Sequence, residues 1–179
     1  MGTMQLILIS GLSGSGKSIA LNVLEDADYY CVDNLPATLL PRLMRQLRNE
    51  GYDEVAGAVD VRSGMSIAAL PQQVAELGNQ DIEVRFIFLD ARDETLIARF
   101  SETRRSHPLA DERVTLAEAI AKERETLERV AELGHRVDTS DLPSNALRAW
   151  VKDFIRLDAT SGLTLLFESF GFKHGIPLD

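Results

Sequence analysis

Blocks of apolar residues, each followed by a stretch with helical spacing, run through most of this chain. Met4 to Ser10 is a continuous apolar run, the pattern of a parallel strand buried on both faces. Lys17 to Ala27 has helical spacing, and Tyr29 to Val32 predicts a short strand ending in the turn Asp33-Asn34-Leu35-Pro36. Pro36 opens a predicted helix to about Asn49, since a first helical turn tolerates proline. Val55 to Val61 predicts a third strand, followed by a helix from about Ser66 to Leu77. Val84 to Asp90 predicts a fourth strand, which leads into a helix near Asp93 to Thr103.

The alternation then breaks. Arg104 to Val114 is polar and proline-interrupted, and predicts a mobile surface segment. Thr115 and Glu118 make a capping box for a helix reaching about Leu133. His135 to Ser140 predicts a fifth short strand, and Ser144 to Leu157 a further amphipathic helix. Five strands, each followed by a helix, predict an open parallel α/β sheet with helices on both faces and right-handed crossovers. Leu163 to Phe170 resembles another strand but belongs less clearly to the same unit. The expected organisation is one domain over residues 4–158, with 159–179 beginning a C-terminal domain that is cut off in this chain. Met1-Gly2-Thr3, ahead of a second start at Met4, reads as a cloning scar.

Composition narrows the class. With 179 residues, 45% hydrophobic and 26% charged, the chain can bury a full core without staples. It contains no apolar run of membrane-spanning length and no secretory signal pattern. The single cysteine, Cys31, excludes an internal disulfide and fits a reducing cytoplasm. A net charge of −9 argues against broad nucleic-acid binding, although a local basic patch stays open. Three apolar aromatics near the C-terminal end, Phe167, Phe170 and Phe172, could drive association into a homo-oligomer.

The candidate chemistry begins directly after the first strand. Gly11-Leu12-Ser13-Gly14-Ser15-Gly16-Lys17-Ser18 satisfies G-x-x-x-x-G-K-[ST] without a mismatch, between an apolar strand and an amphipathic helix. Glycines admit positive φ and bring backbone N–H groups close to bound oxygens, and the helix adds the positive end of its dipole. Lys17 can then reach the β and γ phosphates of a nucleotide while the Ser18 hydroxyl helps to hold Mg²⁺. The expected fold is therefore that of a P-loop NTPase or small kinase.

Other residues are candidates to complete this site. Asp33 and Asp60 lie at predicted strand ends, where open α/β sheets bind ligands, and each reads equally as a metal carboxylate or as an Asx-turn or helix cap. Asp90 more resembles an acid capping the helix that follows it. Arg62, two residues beyond Asp60, reads as a crevice cation or a surface one. Arg99, Arg104 and Arg105 suit either a lid that closes over a transferred phosphate or a helix C-terminus. Asp138-Thr139-Ser140 could approach a nucleotide base, with a helix cap at Ser140 as the alternative. His107, His135 and His174 are scattered without metal-ligand spacing. Cys31, Tyr29, Tyr30 and Trp150 read as packing residues.

The segments GLSGSGKSIAL, YYCVDNLP, DVRS, FLDA, TRRSHPL, VDTS and FESFGFKHGIP resemble, in order and spacing, the RapZ family of bacterial P-loop proteins, the RNase adapter proteins. The similarity covers Met4 to Asp179, and CVDNLP with FESFGFKHGIP makes it specific beyond the P-loop. The resemblance implies ATP and GTP binding with weak hydrolysis, by Gly11 through Ser18 and by Asp60, Val61, Arg62 and Ser63. It also implies an adapter that presents a small regulatory RNA to an endoribonuclease and so controls amino-sugar synthesis. That RNA role belongs mainly to a C-terminal domain, whose GCTGGKHRS-like segment this chain lacks. The expectation is thus a nucleotide-responsive regulatory domain. Lys17 and Arg62 would act on the phosphates, and Ser18 with Asp60 or Asp33 would hold Mg²⁺. The rival reading is a small-molecule kinase.

Overall fold

The computed structural model describes residues 2–158. At its centre, β1 (Met4–Gly11) pairs in parallel with β3 (Glu54–Ala58) on one side and β4 (Ile82–Asp90) on the other. The edge strands β2 (Tyr30–Val32) and β5 (His135–Asp138) complete an all-parallel sheet of order β2-β3-β1-β4-β5.

Alternation along β1 sorts its side chains into two cores. Leu6 and Leu8 pack with residues of α2 (Leu40–Asn49), α3 (Leu70–Gly78), α4 (Asp93–Thr103), α5 (Leu116–Thr126) and the single turn α6 (Glu128–Ala131). Ile7 and Ile9 face the opposite layer, α1 (Lys17–Asp26) and α7 (Ser144–Asp158), where they meet Leu24, Trp150, Val151 and Phe154. Complete burial of such an aliphatic side chain stabilises by about 1.5–3 kcal/mol. Both faces of β1 are therefore committed, which leaves its C-terminal edge and the loop beyond it as the place for chemistry.

The predicted strand–helix order is observed, with five local differences. The expected helix from Pro36 is α-helical only from Leu40, after a 3-10 turn over Ala37–Leu39. The third strand stops at Ala58, because Asp60 accepts a hydrogen bond from the Arg62 N–H and turns the chain into a 3-10 stretch over Val61–Ala69. That stretch replaces the first turn of the expected 66–77 helix and is kinked at Gly64. The expected 115–133 helix divides at Leu127 into α5 and α6, though the Thr115/Glu118 capping box at its start is present. The fifth strand ends at Asp138 rather than Ser140.

Among the packing candidates, Tyr29 is buried and Trp150 stacks on Phe154 with ring centroids 5.2 Å apart. Tyr30 instead lies exposed on the edge strand, its ring 4.7 Å from that of Tyr52. Burial raises the Cys31 thiol to about 11, the behaviour of a packing residue rather than a nucleophile. The strand expected at 163–170, the Phe167/Phe170/Phe172 cluster, His174 and the 159–179 domain lie outside the described residues.

Candidate functional site

The glycine loop bridges the end of β1 and the start of α1. Gly11 sits where a Cβ would come within 2.2 Å of the Leu89 carbonyl oxygen of β4, so a side chain there would part the two strands. Gly16 caps α1 with φ 113° and contributes no side-chain bond. The first turn of α1 therefore begins without a side-chain acceptor, the condition in which a helix N-terminus takes an anion.

Residues from distant parts of the chain hold the loop in shape. Leu12 N–H donates to the Leu89 carbonyl at 3.1 Å, and Ser15 N–H to the Leu12 carbonyl at 3.0 Å. Ser13 donates from both its N–H (2.7 Å) and its hydroxyl (2.9 Å) to one carboxylate oxygen of Glu123 on α5. Arg99 of α4 donates to the Gly14 carbonyl at 2.9 Å and also to Thr139. The Thr139 hydroxyl donates to the Ser15 carbonyl at 2.7 Å. Lys17 Nζ bonds the carbonyls of Gly11 (2.8 Å) and Leu12 (3.0 Å), so its ammonium lies inside the curve of the loop.

Charge gathers around Lys17. Burial lowers its pKa from the usual lysine value, against the opposing pull of the Glu123, Asp60 and Asp33 carboxylates. Asp60 is 3% exposed, and its carboxylate accepts from Arg62 Nε at 3.0 Å and Nη2 at 2.6 Å. Burial alone would raise the Asp60 pKa, but the side-chain and backbone bonds from Arg62 outweigh it and hold the acid below the usual carboxylate value. Asp33 is exposed on the turn after β2, and its charge is felt by both Lys17 and Arg62.

The structure thus brings Lys17, Asp33, Asp60 and Arg62 into one electrostatic neighbourhood beside the loop. Ser18 is exposed on the first turn of α1, whereas the Ser15 hydroxyl is buried and has no hydrogen-bond partner among the described residues. Val61 is buried, and Ser63 is tied to this turn by its N–H to the Asp60 carbonyl and its hydroxyl to the Leu35 carbonyl. No group of three or more His, Cys, Asp or Glu capable of holding a metal occurs among the described residues. A hydroxyl at Ser18 with one or two carboxylates is nonetheless the donor set that Mg²⁺ takes when phosphate oxygens and water complete its shell.

Three expectations need correction. Asp90 does not cap α4, whose N-cap is Arg92. It is a buried junction that accepts from Arg124 at 2.8 Å, from Arg136 at 3.0 Å and from the Ala91 N–H. Ser140 does not cap α7, which starts at Ser144, but accepts from the Arg92 N–H at 2.8 Å. The proline-interrupted segment carries an anchor, because His107 is 2% exposed and bonds Glu123. Arg104 and Arg105, on the same segment, are exposed.

Sequence reasoning missed Glu123, hidden in the charged run Lys122-Glu123-Arg124-Glu125. One signal was available: helical spacing puts it on the face of Ala119, Ile120 and Leu127, all buried.

The parallel sheet and the glycine loop opening α1 define an α/β protein of the P-loop kinase-like fold. The fold is similar to that of a shikimate kinase from Bacteroides thetaiotaomicron, with a TM-score of 0.54 and 14% identity over 86% of this chain and 98% of that one. It is also similar to a sugar kinase from Janibacter sp. HTCC2649, with a TM-score of 0.57 and 14% identity over 88% of this chain and 97% of that one.

Within that fold class the chain belongs to the RapZ-like N-terminal domain family, whose model matches residues 4–159. Similar relatives are nucleotide-binding proteins of Azoarcus sp. strain BH72, 69% identical, and of Aromatoleum aromaticum, 68% identical. Each alignment covers 98% of this chain, which spans 60% of the length of either relative. Among the described residues, no helix is long and apolar enough to cross a membrane.

Proposed function

We propose that this domain binds ATP and GTP with Mg²⁺ at the glycine loop and hydrolyses them slowly. In this reading it is the nucleotide-responsive part of an RNase adapter protein in the cytoplasm. The observation that carries the reading is the loop itself: positive-φ glycines open an uncapped helix N-terminus, with the Lys17 ammonium drawn inside the curve. The printed names of the relatives, nucleotide-binding proteins, support it.

Lys17 exchanges its two carbonyl acceptors for phosphate oxygens when the polyphosphate enters. Ser18, with Asp33 or Asp60, would hold Mg²⁺, which would offset phosphate charge. Asp60 is engaged by Arg62; were Asp60 to hold the metal instead, the Arg62 guanidinium would be left to meet charge developing on the terminal phosphate. No described side chain stands out to orient an attacking water, in keeping with slow turnover. The small regulatory RNA and the endoribonuclease engage the adapter mainly through sequence beyond residue 158, where association into a homo-oligomer would also arise.

Calorimetric titration of Mg-ATP and Mg-GTP tests the binding. Lys17→Ala should lower affinity by about a hundredfold or more, equivalent to about 2.7 kcal/mol, with the melting temperature nearly unchanged. Unaltered affinity in that variant rejects the site. A second reading, phosphoryl transfer to a metabolite hydroxyl, is favoured by the kinase-like fold. It is separated by acceptor dependence: a kinase consumes ATP orders of magnitude faster when its acceptor is supplied, whereas the regulatory domain does not.

A further inference from the structure

Glu123 is completely buried against the glycine loop, 110 residues away in sequence from the Ser13 it contacts. A carboxylate withdrawn from water is costly unless its lone pairs are filled. One oxygen is filled by the N–H and hydroxyl of Ser13, and the other bonds Nε2 of His107. The second ring nitrogen locates the proton. His107 Nδ1 accepts from the Leu109 N–H at 3.0 Å, so it carries a lone pair, and the ring proton resides on Nε2, directed at Glu123.

His107 is therefore a neutral donor and leaves the carboxylate charge in place. A carboxylate that grips a loop peptide from 110 residues away does more than fill a core. It occupies the Ser13 amide, which is thereby withheld from a ligand while the contact holds.

We propose that Glu123 is a positioning residue of the phosphate site. It pins the Ser13 peptide, while His107 holds the carboxylate from the 104–114 segment. Nucleotide affinity is thereby tied to the seating of that segment. The proposal rests on the phosphate-binding reading of the loop and deepens it.

The test uses the 179-residue chain, Mg-ATP as the calorimetric probe, and thermal unfolding alongside. Glu123→Met keeps the volume and removes the acceptor, which strands the Ser13 donors and His107 Nε2 in a buried site and lowers stability. Its affinity per folded molecule should fall about tenfold or more, as expected when a charge-assisted hydrogen bond is lost, and its melting temperature should fall with it. Glu123→Gln keeps an oxygen for Ser13 and should recover affinity to within about threefold of the parent chain.

Equal affinity in Glu123→Met overturns the positioning role while leaving the phosphate site intact. No binding by the parent chain removes the phosphate site itself, and this role with it. If Glu123→Met does not fold, NMR of the parent chain decides. The Ser13 amide should be protected from hydrogen exchange, and the His107 ring should be protonated at Nε2 and bare at Nδ1. A freely exchanging Ser13 amide or a proton on Nδ1 overturns the proposal.

Discussion

Asp60 and Asp90 look alike in sequence, each an aspartate near the end of an apolar strand beside β1, yet they do different work. Both are buried and both bond arginines. Asp60 pairs with Arg62, two residues along, and its charge reaches Lys17. Asp90 ties together β4, α5 and β5 through Arg124 and Arg136, and Arg124 also reaches Asp93. One pair is local and sits beside the loop, the other joins distant elements. The difference lies in the partners: Asp60 pairs within its own turn beside the loop, whereas Asp90 is shared by two elements of the frame.

Asp90→Ala should sharpen this contrast most, because it leaves two guanidinium groups without their shared acceptor. We expect a stability loss of about 2 kcal/mol in urea unfolding, at the low end for broken ion pairs because Arg124 and Arg136 still reach water. Mg-ATP affinity should barely change, and a large loss there would erase the distinction.

Asp60→Asn should do the reverse. Mg-ATP affinity is expected to drop about tenfold, or 1.4 kcal/mol, with weaker dependence on Mg²⁺ concentration and a small change in melting temperature. A variant that unfolds without losing affinity per folded molecule would make Asp60 a second structural junction.

The smallest effect is in acid. Burial opposes ionisation of both aspartates, but arginine bonds prevail, so their folded-state pKa values lie below those of the unfolded chain. Each therefore contributes stability above about pH 4, which is lost as pH falls through the folded-state value. Stability measured from pH 5 downward should fall less steeply in Asp90→Asn than in the parent chain. Parallel curves would show that the Asp90 junction contributes nothing through its charge.

Much of the architecture was legible along the chain. The continuous apolar run at Met4–Ser10 announced a parallel strand buried on both faces, and Thr115 with Glu118 announced a helix start, because both signals are local. The breaks inside expected helices were not legible. At Gly64 and Leu127 the apolar spacing continues while backbone geometry changes. The site divided in the same way. Gly11 to Ser18 is contiguous and readable; Arg99 and Thr139 stood out as candidates but not as partners of the loop, and Glu123 did not stand out, because all three reach it from other segments.

By itself, then, the order of residues determined the alternating strands and helices and the glycine loop with its lysine. Those features depend on neighbours a few positions apart, where periodicity and backbone freedom act. Tertiary structure alone decided which acids are partners of the loop and which are beams of the frame. Pairing energies between charges depend on distance and burial, and only the folded chain sets either one.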